Sequence, residues 1–387
     1  MDRPDPPNGA VIDTAHAPSD AGPQTQQDIY EQTIAYFLGP VWPYLSGEMG
    51  EVSEVVVNGP DTVYAELGGR LRRLEGCRFP SEEALRAAAL NIAEFSGRRL
   101  GIDRHSMDGR LPDGSRVHVI IPPASRVGTC ISIRRFLPAS FTLAGLVDRN
   151  SITPEAKHYL ETIIRLRRNT VISGGTSSGK TSLLNALSAE INPSDRVIVI
   201  EDTNELRLDP SKHVVYLEAQ PPRPDGRGAV SIRDLFVDSL RMRPDRIVVG
   251  EVRRGEALDL MQAMVSGHAG ALATVHAEDA DECLVRLEIL CLMSGIEIPQ
   301  SVARRLTAMA VHVIIQALRL HDGSRGVVSI DECRGLGDDG FYRRRRIFER
   351  DAGGLRWTGQ RSTFRRLLPQ FDLTPEGPAE AIFTDRS

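Results

Sequence analysis

Aromatic side chains make up only 5% of this 387-residue chain, and no stretch approaches the roughly 18 consecutive apolar residues that a membrane-crossing helix needs. The first scarcity leaves few side chains for stacking on nucleic-acid bases, and the second sends any membrane association through partners or the surface. Cysteine is sparse as well. The five present (Cys77, Cys130, Cys283, Cys291, Cys333) are scattered and form no Cys-x-x-Cys pair. Neither a zinc knuckle nor a disulfide framework follows from such a set, and reduced thiols in a cytoplasm are expected. A basic excess is also missing: 47 Lys and Arg stand against 52 Asp and Glu, for a net charge of −5. An overall electrostatic footprint for nucleic acid is thereby excluded, although a local basic patch is not. The opening MDRPDPPNGA has neither the basic start nor the apolar core of a secretory leader.

What is present is an ordinary globular composition, 41% apolar, in a chain long enough for two domains. Residues 1–27, rich in Pro, Asp, Gln and Ala, offer little to bury and read as a flexible tail. From 28 to 136, apolar runs such as VSEVVVN and TVYAEL alternate with turn residues. They flank a helical stretch, SEEALRAAALNIAEFSG, for which Ser81 is the expected N-cap and Gly97 the stop, so a small α+β domain is predicted. Residues 137–152 read as a linker into a helix that starts at Thr153-Pro154-Glu155. Between 153 and 334 the short apolar strands TVIS, RVIVIED, RIVVGE and ALATVH alternate with helical patterns, which predicts a parallel sheet covered by helices. Residues 335–387 read as a partly ordered basic extension, since ten Arg face six carboxylates from Phe341 onward. Its run Arg343 to Arg346 is expected to be solvated or to bind a partner.

Four clusters carry chemistry. In VISGGTSSGKTSL, Gly174, Gly175, Thr176, Ser177, Ser178, Gly179, Lys180 and Thr181 follow the pattern G-x-x-x-x-G-K-[ST] between a strand-like and a helix-like run. Glycines let backbone N–H groups turn around a phosphate, Lys180 adds a point charge, and the Thr181 hydroxyl, beside Ser182, can reach magnesium. RVIVIEDTNEL ends in Glu201 and Asp202 with Glu205 nearby, where a parallel sheet puts carboxylates that orient water or a metal. RIVVG ends in Glu251, which can reach magnesium through water or hold the attacking water. SGHAGALATVHAEDA places His268 in a Gly-flanked loop and His276 at a strand end; together they make no metal site but can sense a γ-phosphate.

The order of these four boxes resembles the ATPases of type II and type IV secretion systems, most closely the branch serving tight-adherence (Flp) pili and conjugation-type channels. The resemblance runs from about Glu51 to Asp331. It implies an α/β fold: a RecA-like P-loop ATPase domain preceded by a small α+β, PAS-like N-terminal domain. It also implies ATP and Mg²⁺ as cofactors, a homohexameric ring, and a cytoplasmic location at the inner membrane through platform proteins of a pilus or secretion system. The stretch DGRLPDGSRVHVIIPP followed by SIRRF looks like the family's N-terminal domain, so the resemblance gives Arg116 and Arg134, with Arg110 and Arg135, the role of reaching the phosphates from that domain. The four-cysteine module of many type II members is missing. The usual Gly-Gly after Glu-Val-Arg appears here as Arg254-Gly255.

Three functions are compatible with these features. A mechanoenzyme couples ATP hydrolysis to pilus assembly or export, with Glu201 and Glu251 both open as the base. A RecA-like nucleic-acid motor is favoured only by the arginine run, and no specific nucleic acid is expected. A non-catalytic nucleotide sensor requires a missing catalytic carboxylate, yet both are present.

Overall fold

The computed structural model describes residues 26–50, 52–135, 142–220, 222, 227–374 and 377–384. The tail expected at 1–27 lies outside these except for its last two positions, and so does the first part of the linker expected at 137–152. The chain divides into two units, Met1–Phe136 and Leu137–Ser387.

In the first unit the runs alternating between apolar and polar residues become strands. These are β1 (Val52–Asn58), β2 (Val63–Leu67), β3 (Arg70–Arg73), β4 (Ser106–Arg110), β5 (Arg116–Ile120) and β6 (Cys130–Arg134). They form one antiparallel sheet in the order β3-β2-β1-β6-β5-β4. Period-two alternation sends Val55, Val57, Val117, Val119, Ile131 and Ile133 to one face. There they meet the first unit's helices, α1 (Gln26–Phe37), α2 (Trp42–Ser46) and α3 (Glu82–Phe95). Helix α3 starts where Ser81 Oγ accepts the Ala84 N–H at 3.3 Å, and it buries Leu85, Ala88, Ala89 and Ile92 at helical spacing.

The second unit begins with α4 (Leu143–Asp148), capped by the Thr142 hydroxyl, and α5 (Pro154–Arg165), capped by that of Thr153. Leu143 and Leu146 of α4 are buried in this unit's core, so chain that reads as linker is part of the packed structure from Leu143 on. Next come β7 (Thr170–Gly174), α6 (Lys180–Ala189), β8 (Val197–Glu201), β9 (Val214–Glu218), α7 (Ile232–Ser239) and β10 (Arg246–Val249). Then follow α8 (Glu256–Val265), β11 (Leu272–Val275), α9 (Ala280–Leu292), α10 (Gln300–Ala310) and β12 (Val313–Arg319). The unit's sheet closes with β13 (Arg325–Leu336), β14 (Tyr342–Asp351) and β15 (Gly354–Trp357). Its order is β15-β14-β13-β12-β7-β11-β10-β8-β9, parallel from β12 to β9 and antiparallel from β12 to β15.

Every residue of β7, β8, β10 and β11 is buried. Neighbouring side chains along these strands feed separate apolar clusters: Ile172, Val197, Val199 and Val248 lie in one, Val171, Ile198, Ile200 and Val249 in the other. Helices therefore cover both faces of the sheet, as continuous apolar strand runs require.

The structure corrects the reading of the basic C-terminal stretch. Residues 342–351 form β14, hydrogen-bonded to β13, and the arginine run is held by carboxylates and a carbonyl of the same unit. Asp331, fully buried, receives Arg344 Nη1 at 2.6 Å and Arg346 Nε at 3.1 Å, and Ser329 Oγ donates to it at 2.8 Å. Arg344 also pairs with Asp281, Arg346 with Glu349, Arg343 with Asp339, and Arg345 donates to the Arg361 carbonyl. The adjacent Glu332, equally buried, accepts from the Tyr159 hydroxyl at 2.9 Å and from Thr363 N and Oγ1 at 2.8 and 2.7 Å. A composition count misses this because the buried partner Asp331 sits on β13 and Asp281 on α9, both outside the basic stretch.

Ending the chain after Ile330 is therefore expected to destroy the second unit rather than spare its activity. It strips buried Phe348 and Ile347 from the core and takes Glu332 from Tyr159. Breaking one buried polar or ionic pairing of this kind typically costs about 3–5 kcal/mol, a large share of a domain's stability. Soluble yield and thermal melting by circular dichroism test this, and a truncated chain that melts like the full one refutes it.

Candidate active site

Four parallel strands end along one edge of the second sheet, in the spatial order β7, β11, β10, β8, with neighbours about 4.8 Å apart. The loop leaving β7 runs from Gly175 to Gly179 and turns into the first residue of α6, Lys180. Gly179 has φ +93° and Ser177 φ +58°, so the backbone takes left-handed steps there that curl the loop around a hollow at the helix start. Gly174 has no room for a side chain, because a Cβ would lie 2.3 Å from the Ala317 carbonyl oxygen on β12 and 2.5 Å from Ser178 Oγ. At Gly175 a Cβ would meet nothing within 4 Å. Lys180 Nζ bends back to donate to the carbonyls of Gly174 at 2.8 Å and Gly175 at 2.9 Å, and Ser178 Oγ donates to Gly175 O at 2.9 Å. Thr176 is exposed, and Thr181 and Ser182 are half-buried on the first turn of α6. A curled glycine loop on a helix N-terminus, with a lysine across it and a hydroxyl one residue on, fits a nucleotide's phosphates with their magnesium.

Beside β7, β11 pairs Val275 with Ser173, so the exposed His276 leaves its strand next to the phosphate loop. His268 is not brought there. It precedes β11, at the end of the sheet where β7 begins, with Ala271 O accepting the Thr170 N–H at 3.0 Å. The four-residue strand and its flanks, at about 3.3 Å per residue, hold the two histidines at opposite ends. The assignment of His268 to the nucleotide therefore fails within this unit: the turn at 269–270 and then the extended strand Leu272–Val275 separate it from His276. Its Nδ1 is buried without a hydrogen-bond partner.

The two glutamates differ in their environment. Glu201, 4% exposed at the end of β8, accepts the Glu205 N–H at 3.0 Å through Oε1 and the Leu206 N–H at 3.2 Å from each oxygen. It thereby fixes the acidic loop that follows. Glu251, just beyond β10, keeps a quarter of its side-chain surface and takes two bonds from Arg253 on Oε2, at 2.6 Å from Nη2 and 2.9 Å from Nε. Arg253 Nη1 reaches Asp202 Oδ2 at 3.1 Å. Burial works against the charged guanidinium, but its bond to Glu251 and the fields of Glu251, Asp202 and Glu205 outweigh that and raise its pKa. Sequence reasoning missed Arg253; the available signal was a basic residue two positions after a strand-end carboxylate. In the departure Arg254-Gly255, the glycine that remains is the one with no room, since a Cβ there would stand 2.4 Å from the Ser294 Cα.

In the first unit, direct register pairs set Arg110 opposite Arg116 and Arg116 opposite Arg134. These three stand in a row across β4, β5 and β6, on the face away from the core, and the row continues to Glu54 on β1. Arg135 is turned elsewhere, with Nη1 donating to the Val52 carbonyl at 3.2 Å.

The family model described as type II/IV secretion system protein matches residues 39–350. A Mycobacterium tuberculosis (strain H37Rv) protein named for conjugal transfer is 36% identical over 309 residues, covering 78% of this chain and 86% of its own. The type IV secretion system protein PtlH of Bordetella pertussis is 32% identical over 320 residues, covering 77% and 92%. Among solved structures, the ATPase DotB of Yersinia pseudotuberculosis aligns with a TM-score of 0.53 at 18% identity, covering 84% of this chain and 83% of that one, a likeness of fold.

Proposed function

Because the chain belongs to the type II/IV secretion system protein family, whose activity is ATP hydrolysis, we propose that it works as a homohexameric ring in which hydrolysis moves the two units of each chain. That motion powers pilus assembly or protein export across the bacterial envelope, through inner-membrane platform proteins. The observation that carries this reading is the single sheet edge on which the phosphate loop, His276, Glu251 and the Glu201–Asp202 loop follow one another on adjacent strands. Relatives named for conjugal transfer and type IV secretion support the transport side.

In this reading the loop from Gly174 to Ser182 holds the phosphates of ATP, and Lys180 leaves its loop carbonyls to reach them. Thr181 and Glu251 would hold magnesium, which supplies charge neutralisation on the phosphates when bound. Glu251 orients the attacking water, since Glu201 is spent on backbone amides. His276 senses the γ-phosphate, and Arg116 and Arg134 bring positive charge from the first unit. A nucleic-acid motor loses its one favouring feature, because the arginines from Arg343 to Arg346 are each engaged by carboxylates or a carbonyl of the fold itself. No described helix is long and apolar enough to cross a membrane. The secretion role itself is what suggests a cytoplasmic protein held at the inner membrane by its partners.

Glu251→Gln tests the motor, since it is expected to retain ATP, stall hydrolysis and trap the closed ring. Sedimentation should give the mass of six chains, and small-angle scattering of the ATP-loaded variant should differ from that of the ADP form. In the host, deletion should stop export or pilus assembly, with rescue by the native chain and not by Glu251→Gln. A monomer whose scattering ignores nucleotide sinks the ring, and a deletion without a transport defect sinks the transport role.

A further inference from the structure

Three charged side chains, Glu251 and Arg253 from the Glu-Val-Arg run and Asp202 from the loop after β8, meet at the edge of the second sheet. Both bonds from Arg253 to Glu251 fall on the same oxygen, Oε2, while the third N–H group crosses to Asp202 beyond the neighbouring strand. We propose that Arg253 is the positioning residue of the nucleotide site: it fixes the Glu251 carboxylate in one orientation and serves as resident counter-ion for two strand ends until phosphate and metal arrive.

The arrangement is a poor stability device and a good positioning device. The arginine side chain is 56% exposed and Asp202 44%, and ion pairs at such sites typically contribute about 0–1 kcal/mol to folding. The backbone beneath it is nevertheless rigid. Glu256, 7% exposed in the first turn of α8, accepts the N–H groups of Arg253 at 2.7 Å and Arg254 at 2.8 Å through one oxygen. The root of the arginine is thus fixed by a buried carboxylate, while its planar head spans two others that stand on different strands. Both bonds fall on Oε2, so the guanidinium leaves Oε1 of Glu251 without a bond from it. Without Arg253, Glu251 and Asp202 would both present uncompensated negative charge where an anionic triphosphate has to enter.

The inference rests on the nucleotide site of the preceding reading and on neither ring nor transport, and the two fail separately. Normal hydrolysis by Lys180→Ala would remove the site itself, whereas the variants here leave the phosphate loop intact.

The test compares full-length Arg253→Ala and Arg253→Lys with the native protein. It measures steady-state hydrolysis with magnesium, and binding of a fluorescent ATP analogue with magnesium and in EDTA. For Arg253→Ala, kcat should fall about ten- to a hundred-fold, the range seen when supporting partners of active-site ligands are removed, with KM changed by no more than about threefold. Analogue affinity should fall about tenfold in EDTA and much less with magnesium, because the metal replaces the missing cation. Arg253→Lys keeps the charge without the span, so it should restore affinity in EDTA and leave kcat low. Melting temperatures confirm that each variant is folded. The proposal is overturned if Arg253→Ala keeps native kcat, if its affinity is native in EDTA, or if lysine restores turnover in full.

Discussion

Replacing Lys180 with alanine is expected to bring ATP hydrolysis to background and to weaken nucleotide binding roughly ten- to a hundred-fold, the value of one hydrogen bond to a charged group. Lysine is the only side-chain cation built into the loop from Gly174 to Ser182. Its Nζ donates to the carbonyls of Gly174 and Gly175, and in the proposed site it turns from them to the phosphates, so alanine takes away the one cation the loop can offer. Alanine is the best helix former and enters at the first position of α6, so the fold should not suffer. Initial rates and analogue titration, with a melting curve as control, make the measurement. Turnover near the native rate would mean that the loop is not the phosphate site.

Arg134→Ala is expected to lower turnover on the order of a thousand-fold while leaving ATP affinity within a few-fold, because a cation brought to the γ-phosphate from a separate element acts mainly on the transition state. Arg134 is exposed on its strand and directly opposite Arg116, so Arg116→Ala should show a smaller loss in the same direction. The double variant should fall well short of the product of the two, as groups acting as a unit do. If both single variants and the double variant hydrolyse ATP normally, the first unit is a docking platform only, and the hydrolysis cycle must reach the secretion machinery by another route.

The phosphate loop, the strand ends and α3 were legible in the sequence because each is settled by neighbours in the chain. Gly174 to Lys180 must turn sharply between an apolar run and a helix, and Ser81 caps its helix by accepting the amide three residues on. What was not legible depends on residues far apart. Arg344 and Arg346 read as surface charge until Asp331 and Asp281 are placed beside them by strand pairing and by α9. His268 and His276 share one short box, yet extended backbone carries them to opposite ends of β11. Glu201 and Glu251 look alike at their strand ends, and only burial and partners separate the loop anchor from the open carboxylate. Strands β9 and β12 were missed for the same reason: the register that defines them comes from β8 and β7.

The row Arg110, Arg116, Arg134 has a cost for the first unit. Like charges directly opposite each other on paired strands are unfavourable, and here two such pairs occur in succession, with Glu54 at one end as a counterweight. A chain selected for durability alone would place threonine or valine at these outward positions, where β-branched residues pack well against their cross-strand neighbours. The sheet therefore holds a reserve of unclaimed stability. Any attempt to harden this protein by optimising its first unit would reach these arginines early, and each gain in heat resistance there would come from the charges on which turnover is expected to depend.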